Sequence, residues 1–388
     1  MSELLDKAIL IAQQSKLAAF HILQRNDTGE TGGHQSGFHM QYEVASEMFF
    51  DRPGIKGENL EKDIRISWQG GAIETSGRLH YYGVKTRNEY RVTRFGRGFS
   101  LLGPENTGSL LVFAKKSDDF YEAVILDDEQ DVEDFYDCFN IPTTCGGCLL
   151  SNLGFQQQDI FGIEEKIANF LANIQDFPDT DVMSKFAQEC WDFNDKKINQ
   201  NPDATLEQWL DTEYQVYRAV EEKQFSERIK QPFANMDEFL GFSLSILNRR
   251  KSRAGKSLEH HLSTIFTSSN LKFEEQVITE DKKKPDFIFP GGEEYHDKSF
   301  PEEKLVLLGA KTSLKDRWRQ VISEADRIQH KHLFTLQGKI SSNQLKEMKD
   351  ADIHLVLPNS KLACIPSGFV NDVIDLKQFI SFVRAKQL

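Results

Sequence analysis

The sequence predicts two folds in one chain: a mostly β N-terminal domain, then a C-terminal domain of α/β class. Three observations carry this. The chain has 388 residues, more than one ordinary domain holds. Its first ~170 residues are rich in Gly, Thr and short alternating segments parted by turn signals, the mark of a β-rich module. Its final third alternates apolar strand-like runs with helical spacing.

Taken in order, the chain opens on MSELLDKAILIAQQSKLAAF, an amphipathic helix pattern with acids near its start. DIRISW, SLLVFA and EAVILD follow as strands, separated by TGETGG, GRG and GPENTG. EEKIANFLANI places apolar residues at helical spacing, and DFPDTD reads as a hinge. The domain boundary is therefore set at 175/176, giving domains 1–175 and 176–388. VMSKFAQECWDF, LEQWLDTEYQVYRAVEEK and MDEFLGFSLSIL read as helices. PDFIF, KLVLLGAK, HLFTLQ and IHLVLP read as strands, and the unbroken apolar run LVLLGA suits a strand covered on both faces. DRWRQVISEADRIQH reads as one helix.

With 47 Lys+Arg against 60 Asp+Glu, the formal net charge is −13. On its own, that argues against a nucleic-acid partner, but the charge is segregated. Residues 78–98 hold Arg78, Lys85, Arg87, Arg91, Arg94 and Arg97 against one acid, Glu89, with Tyr81, Tyr82, Tyr90 and Phe95 interleaved. NRRKSRAGK and KDRWR are further basic clusters, while residues 117–161 contain no Lys or Arg. Basic patches with aromatics are what phosphate and base contacts need. Hydrophobic residues make up 39% of the chain and 29 are Phe, so extended disorder is excluded. No apolar run of about 18 residues predicts a membrane span. The N-terminus lacks the basic and apolar regions of a secretory signal. Five cysteines are no disulfide framework, and a reducing, cytoplasmic home is expected.

The C-terminal domain sets ionisable groups where a buried sheet should not have them. Asp286 follows Pro285 at the mouth of PDFIF, and Lys311 closes KLVLLGA. Glu324 is spaced to share a helix face with Trp318, Val321, Ile322, Ala325 and Ile328. Glu259 lies within SLEHHLSTIF, whose Leu258, Leu262, Ile265 and Phe266 define a buried face. A carboxylate on a core-facing side must be paired or bind a metal. Two or three carboxylates with a lysine at adjacent strand ends suit Mg2+-dependent phosphodiester hydrolysis. Asp286 and Glu324 are the expected metal ligands, and Lys311 would orient or help deprotonate the water and stabilise the phosphate. The pattern is similar to the nuclease motif written PD-(D/E)XK, with one departure: two residues before Lys311 stands Gly309, which cannot ligate. The missing acid would come from Glu324.

Longer blocks go further. NRRKSRAGKSLEHHL, KKPDFIFP, YHDKSFP, AKTSLKDRWRQVISEAD and HLFTLQ resemble the catalytic domain of the EcoRII restriction endonuclease family. NDTGETGGHQSGF, KTRNEYRVTRFGRG and PENTG resemble that family's regulatory domain. The resemblance spans most of the chain and fades in residues 138–183 and at the extreme C-terminus. It implies a type IIE restriction endonuclease: a homodimer cutting double-stranded DNA at a short CC/GG-type site, CCWGG- or CCNGG-like, and responding to a second copy of that site. It implies a catalytic set of Asp286, Lys311 and Glu324, with Glu259 auxiliary and Mg2+ as cofactor. It implies that Lys315, Asp316 and Arg317 read C·G pairs, as Arg donates in pairs to guanine and an acid accepts from cytosine, and that Arg319 contacts phosphate. A cognate DNA methyltransferase would act on the same site without needing to bind this chain.

The implied folds are a restriction-endonuclease-like α/β/α core and an N-terminal pseudobarrel like the plant B-three DNA-binding domain. The latter would bind effector DNA and, when empty, block the catalytic cleft. His34, Lys85, Arg87, Glu89 and Arg91 match its effector contacts. Two positions depart: His39 replaces a Tyr, and Tyr90 replaces a basic residue. Two other classes remain open, a DNA-binding regulator whose nuclease fold is inactive and a repair nuclease without sequence preference. Asp286, Lys311 and Glu324 oppose the first, and the KDR segment opposes the second.

Cys145 and Cys148 form a lone CxxC without further zinc ligands at suitable spacing. His260 and His261 are helix neighbours pointing apart, and the Gly-rich stretches lack the Lys-Ser/Thr of a P-loop.

Overall fold

The computed structural model describes residues 2–32, 37–96, 98–152, 162–312, 314 and 318–388. His34, Arg97, Lys315, Asp316 and Arg317 lie outside them. The chain forms two compact units. One runs to Ile141 and takes up again at Cys145; the other holds most of the chain beyond.

The first unit comprises α1 (Glu3–Gln14), β1 (Leu17–Ile22), β2 (Gly37–Met40), α2 (Tyr42–Met48), β3 (Asn59–Trp68), β4 (Ile73–Tyr82), β5 (Glu89–Thr93), β6 (Leu110–Lys115), β7 (Phe120–Leu126), α3 (Glu129–Phe139) and β8 (Gly147–Leu149). Ser2 caps α1, its hydroxyl accepting from the Leu5 amide. Among the described residues the strands make one eight-stranded sheet, ordered β2-β5-β4-β3-β7-β6-β1-β8. It is antiparallel except where β3 runs parallel to β7. The period-2 alternation of strands splits the apolar residues into two cores. Phe38, Phe49, Trp68, Tyr81, Tyr90 and Phe113 fill one. Leu5 and Ala8 of α1 and Phe135 of α3 join Phe20, Leu110 and Val124 in the other.

The second unit comprises α4 (Ile163–Asn173), α5 (Thr180–Glu189), α6 (Asp195–Gln200), α7 (Pro202–Ile229), α8 (Met236–Ser268), β9 (Glu274–Glu275), β10 (Phe287–Phe289), α9 (Gly292–His296), β11 (Val306–Lys311), α10 (Trp318–Ile322), β12 (Lys331–Thr335), α11 (Ser342–Asp350), β13 (Ile353–Leu357), α12 (Asn359–Leu362), β14 (Val373–Asp375) and α13 (Leu376–Gln387). Its mixed sheet has the order β14-β13-β12-β11-β10-β9. β10 is antiparallel to β11, and β11 through β14 run parallel. One face of β11 (Val306, Leu308, Ala310) packs with Leu258, Leu262 and Phe266 of α8. The expected boundary at 175/176 falls between α4 and α5. Helix α4 packs with α7 through Ile163, Ile167, Val216 and Tyr217.

Two expectations are corrected. DRWRQVISEADRIQH does not form one helix: α10 stops at Ile322, and Ala325 takes a left-handed φ of 52°. Beyond it Arg327 donates to the carbonyls of Glu294, Asp297 and Phe300, which holds the chain on another course. Ile322, expected in the apolar stripe, is 42% exposed. The second is Ile322 just named; the basic cluster NRRKSRAGK lies on α8, with Arg249, Lys251 and Lys256 exposed and other cations engaged within the unit. Arg250 pairs with Glu221 through two 2.7 Å contacts, Arg253 is buried against Tyr217, and Arg249 covers Phe177.

Candidate active site and nucleic-acid interface

Asp286 sits immediately before β10, and antiparallel pairing of β10 with β11 brings it beside the end of β11. There Lys311 donates to Asp286 Oδ2 at 2.9 Å, and the Ala310 amide donates to the same oxygen at 2.7 Å. Gln276 adds a long 3.4 Å contact to Oδ1. The Asp286 side chain is 8% exposed and that of Lys311 19%. The pair is thus nearly dry yet reachable from solvent.

Glu324 joins this pair although it lies beyond the end of α10. Burial pushes its carboxyl above the ordinary range, against the pull of Lys311 and with the Asp286 charge adding to the rise. Its Oε2 is buried and has no hydrogen-bond partner among the described residues. Glu259 reaches the same place from α8. Burial, then the Asp286 charge, pushes its carboxyl up to about 7. Like charges crowded in a half-dry site disfavour joint ionisation. All four sequence-predicted catalytic residues therefore meet.

Gly309 explains why the acid two residues before Lys311 is missing. A Cβ at Gly309 would stand 2.9 Å from a Val321 methyl. Strand alternation puts residues 309 and 311 on one face, and α10 covers that face at 309. A carboxylate there has no room, while the chain leaving α10 delivers one at 324. Sequence reasoning missed two cations near Glu324, Lys283 and Lys331. Lys283 donates to the Ser323 carbonyl, and Lys331 donates to that of Ile322. DKKK, which holds Lys283, reads only as a turn, and Lys331 stands directly before the strand HLFTLQ, so no local signal points to either.

Of the expected target-reading residues, Lys315, Asp316 and Arg317 fall outside the described residues. Arg319 is half exposed, pairs with Glu347 at 2.6 Å and lies over the Trp318 ring.

In the first unit Lys85 and Arg87 stand exposed on the β4–β5 loop, with Arg87 over the Tyr82 ring. Glu89 and Arg91 lie 3.7 Å apart on β5. Arg91 is buried, and its Nε, which faces Glu89 at that distance, makes no hydrogen bond among the described residues. Cross-strand register aligns His39, Arg91, His80 and Glu61 in one row. His39 is thus a neighbour of Arg91, and its amide donates to buried Asp27. Tyr90 belongs to the opposite face. It is fully buried among aromatic rings, and its hydroxyl accepts from the Gly54 amide at 2.6 Å. The departure at 90 is therefore a core residue. Arg78 also leaves the basic patch, being held by Glu61 and Asp63 across the β3–β4 pair.

Residues 217–380 match the family described as EcoRII C terminal, and residues 12–139 match restriction endonuclease EcoRII, N-terminal. The chain is 27% identical over 124 residues to the type II restriction enzyme SsoII of Shigella sonnei, covering 29% of this chain and 40% of that one. A solved structure, metal-depleted Ecl18kI in complex with uncleaved, modified DNA, is similar at a TM-score of 0.46 and 19% identity, over 58% of this chain and 83% of that one; so slight a likeness carries no argument. The type II restriction enzyme EcoRII of Escherichia coli is 34% identical over 385 residues, 92% of this chain and 92% of that one. With both domain families matched and the identity sustained along the whole length, this chain belongs to the EcoRII family of type II restriction enzymes.

Proposed function

We propose that this chain is a type IIE site-specific deoxyribonuclease that hydrolyses double-stranded DNA at a short CC/GG-type site, CCWGG- or CCNGG-like. The observation that carries the reading is the meeting of Asp286, Lys311, Glu324 and Glu259 at one strand end. Three carboxylates around one lysine leave a surplus of negative charge that a divalent cation would offset. The donors are hard oxygens, and the buried unpartnered Glu324 Oε2 has capacity to spare, so the set fits Mg2+. Asp286 and Glu324 would hold the ion, which when bound stabilises charge on the phosphate oxygens.

The chain's own groups do the rest. Asp286 fixes the Lys311 ammonium, and Lys311 orients the scissile phosphate and the attacking water. Glu259, titrating near neutrality, is suited to take the proton of that water. The water oxygen adds to phosphorus and one P–O bond breaks. Lys315, Asp316 and Arg317 read the C·G pairs, and each bidentate contact discriminates by about 1–3 kcal/mol. The first unit, as a pseudobarrel, binds the effector copy through His34, Lys85, Arg87, Glu89 and Arg91 and restrains cleavage when empty.

Cutting both strands of a two-fold site calls for two catalytic centres, hence a homodimer. The start of α8 offers a face for the second copy: Met236, Phe239, Leu240 and Leu244 are 45–67% exposed at helical spacing. The enzyme acts in the cytoplasm, where its DNA substrate and the paired methyltransferase are.

Two experiments test this. Lys311→Ala should bind site-bearing duplex specifically in Ca2+ yet give no cleavage in Mg2+; cleavage at the unaltered rate would remove Lys311 from the mechanism. A chain beginning at Gly162, which keeps α4 on the second unit, should cut single-site DNA faster than the full chain. A slower or inactive product would refute restraint by the first unit.

A further inference from the structure

At the opposite end of the parallel strands from Lys311 lies a second cluster of metal-ligating side chains. The β12–β13 register pairs Lys331 with Ile353 and His332 with His354. Position 330 therefore stands beside 352. His330 Nδ1 is 2.6 Å from one Asp352 oxygen, and His354 Nε2 is 3.3 Å from the other. One ligand atom from each of the three residues can be chosen so that all lie within 4.8 Å of one another. Lys311 pairs with Thr335, four residues farther along β12 than Lys331, which is about 13 Å up the sheet. The cluster is thus separate from the Asp286–Lys311 pair and shares no side chain with the catalytic set.

We propose that His330, Asp352 and His354 form a site for a borderline transition-metal ion of the Zn2+ class. Two imidazoles and one carboxylate suit such an ion, whereas Mg2+ prefers oxygen donors alone. An ion roughly 2.0–2.1 Å from each donor sets donor separations of roughly 3.3–3.4 Å, close to the spacing already present between His354 and Asp352. His330 and His354 are exposed and Asp352 is half-buried, so the ion can enter and a water can complete its coordination. His330 and His354 border a groove of about 710 Å³ lined also by His332, Arg327 and Phe382.

The surroundings hold the ligands in place. Asp352 sits in a left-handed turn at φ 57° directly before β13, and its carbonyl accepts from the Lys331 amide at 3.2 Å. His332 is 5% exposed, and its ring stacks on that of His354 at 5.4 Å. Its Nδ1 has no partner among the described residues. Stacking fixes the His354 ring plane as outer-shell contacts do in metal sites. A bound ion would tie together the start of β12, which pairs with the strand ending in Lys311, and the start of β13 on its other side.

Zinc titration of the full-length chain, read by competition with a chromophoric chelator in excess Mg2+, tests the site. Asp286→Ala should still bind one Zn2+ per chain at this cluster. His330→Ala and His354→Ala should each weaken it by about 100-fold or more, since loss of an outer-shell contact alone costs 10–100-fold. Thermal unfolding without zinc shows that each variant is folded, and zinc should raise the melting temperature of Asp286→Ala but not of the two histidine variants. Equal zinc affinity in the unaltered chain and both histidine variants would overturn the proposal. So would loss of all tight zinc binding in Asp286→Ala, which would assign it to the catalytic carboxylates. This test does not depend on the chain cleaving DNA.

Discussion

Glu213 with His261, and Asp286 with Lys311, are both carboxylate–nitrogen pairs at 2.9 Å in the second unit. They differ in surroundings. Glu213 and His261 are wholly enclosed, 0% exposed each. Gln188 contacts the other ring nitrogen of His261 at 2.9 Å. Burial works to raise the Glu213 carboxyl, but His261, Ser184 and Arg253 outweigh it, and the group stays below its ordinary range. This set binds α5, α7 and α8 together. Beside Asp286 and Lys311 burial decides for the neighbouring acids. Two further carboxylates crowd one lysine and both are pushed upward. Burial alone therefore does not mark a candidate site; unbalanced charge beside an opening does.

Glu213→Ala and Glu324→Ala should separate the two kinds of site most clearly. The first strands a buried imidazole and should lower stability by about 3–5 kcal/mol, read by denaturant unfolding. The second removes a carboxylate whose charge the fold disfavours, so its melting temperature should hold or rise while cleavage falls below detection. Should Glu324→Ala melt lower and keep cutting, the two sites are alike and the contrast fails.

Glu259 gives a smaller, pH-dependent effect. Its folded pKa, about 7, stands above its free value. The folded chain therefore holds more protons than the unfolded one between that value and 7, and stability from this group falls as pH rises across the window. The ionised form, which the proposed proton transfer requires, grows through the same range. Cleavage should therefore climb with pH toward neutrality, and Glu259→Gln should flatten both profiles. An unchanged pH–rate curve in that variant would take Glu259 out of the reaction. Smallest of all, Arg87→Ala should reduce stimulation by added site-bearing duplex and leave a chain beginning at Gly162, which lacks the residue, as the reference for unstimulated cleavage. Stimulation equal to that of the unaltered chain would move the effector surface elsewhere.

Much of this was legible in the sequence. The apolar run LVLLGA is β11, and the Pro-Asp opening and lysine close of adjacent strands put Asp286 and Lys311 in contact because β10 and β11 pair antiparallel. Helical spacing puts Glu324 on the face of Val321, but α10 ends at Ile322, and the left-handed Ala325 is invisible to periodicity. The Gly309 departure became intelligible only once Val321 was seen over it. Within the cluster NRRKSRAGK the sequence does not separate Lys251 and Lys256, which are exposed, from Arg250 and Arg253, whose acidic and aromatic partners on α7 are remote in sequence. Tyr90 likewise reads as a lost cation until strand alternation turns it inward.

One digest tests the central claim most directly. A sequenced plasmid incubated with the full-length chain and Mg2+, with every fragment end read, should give discrete fragments whose ends share one short CC/GG-type sequence, and Asp286→Ala should give none. Ends scattered without a common sequence, or no cleavage by the unaltered chain, would contradict the account.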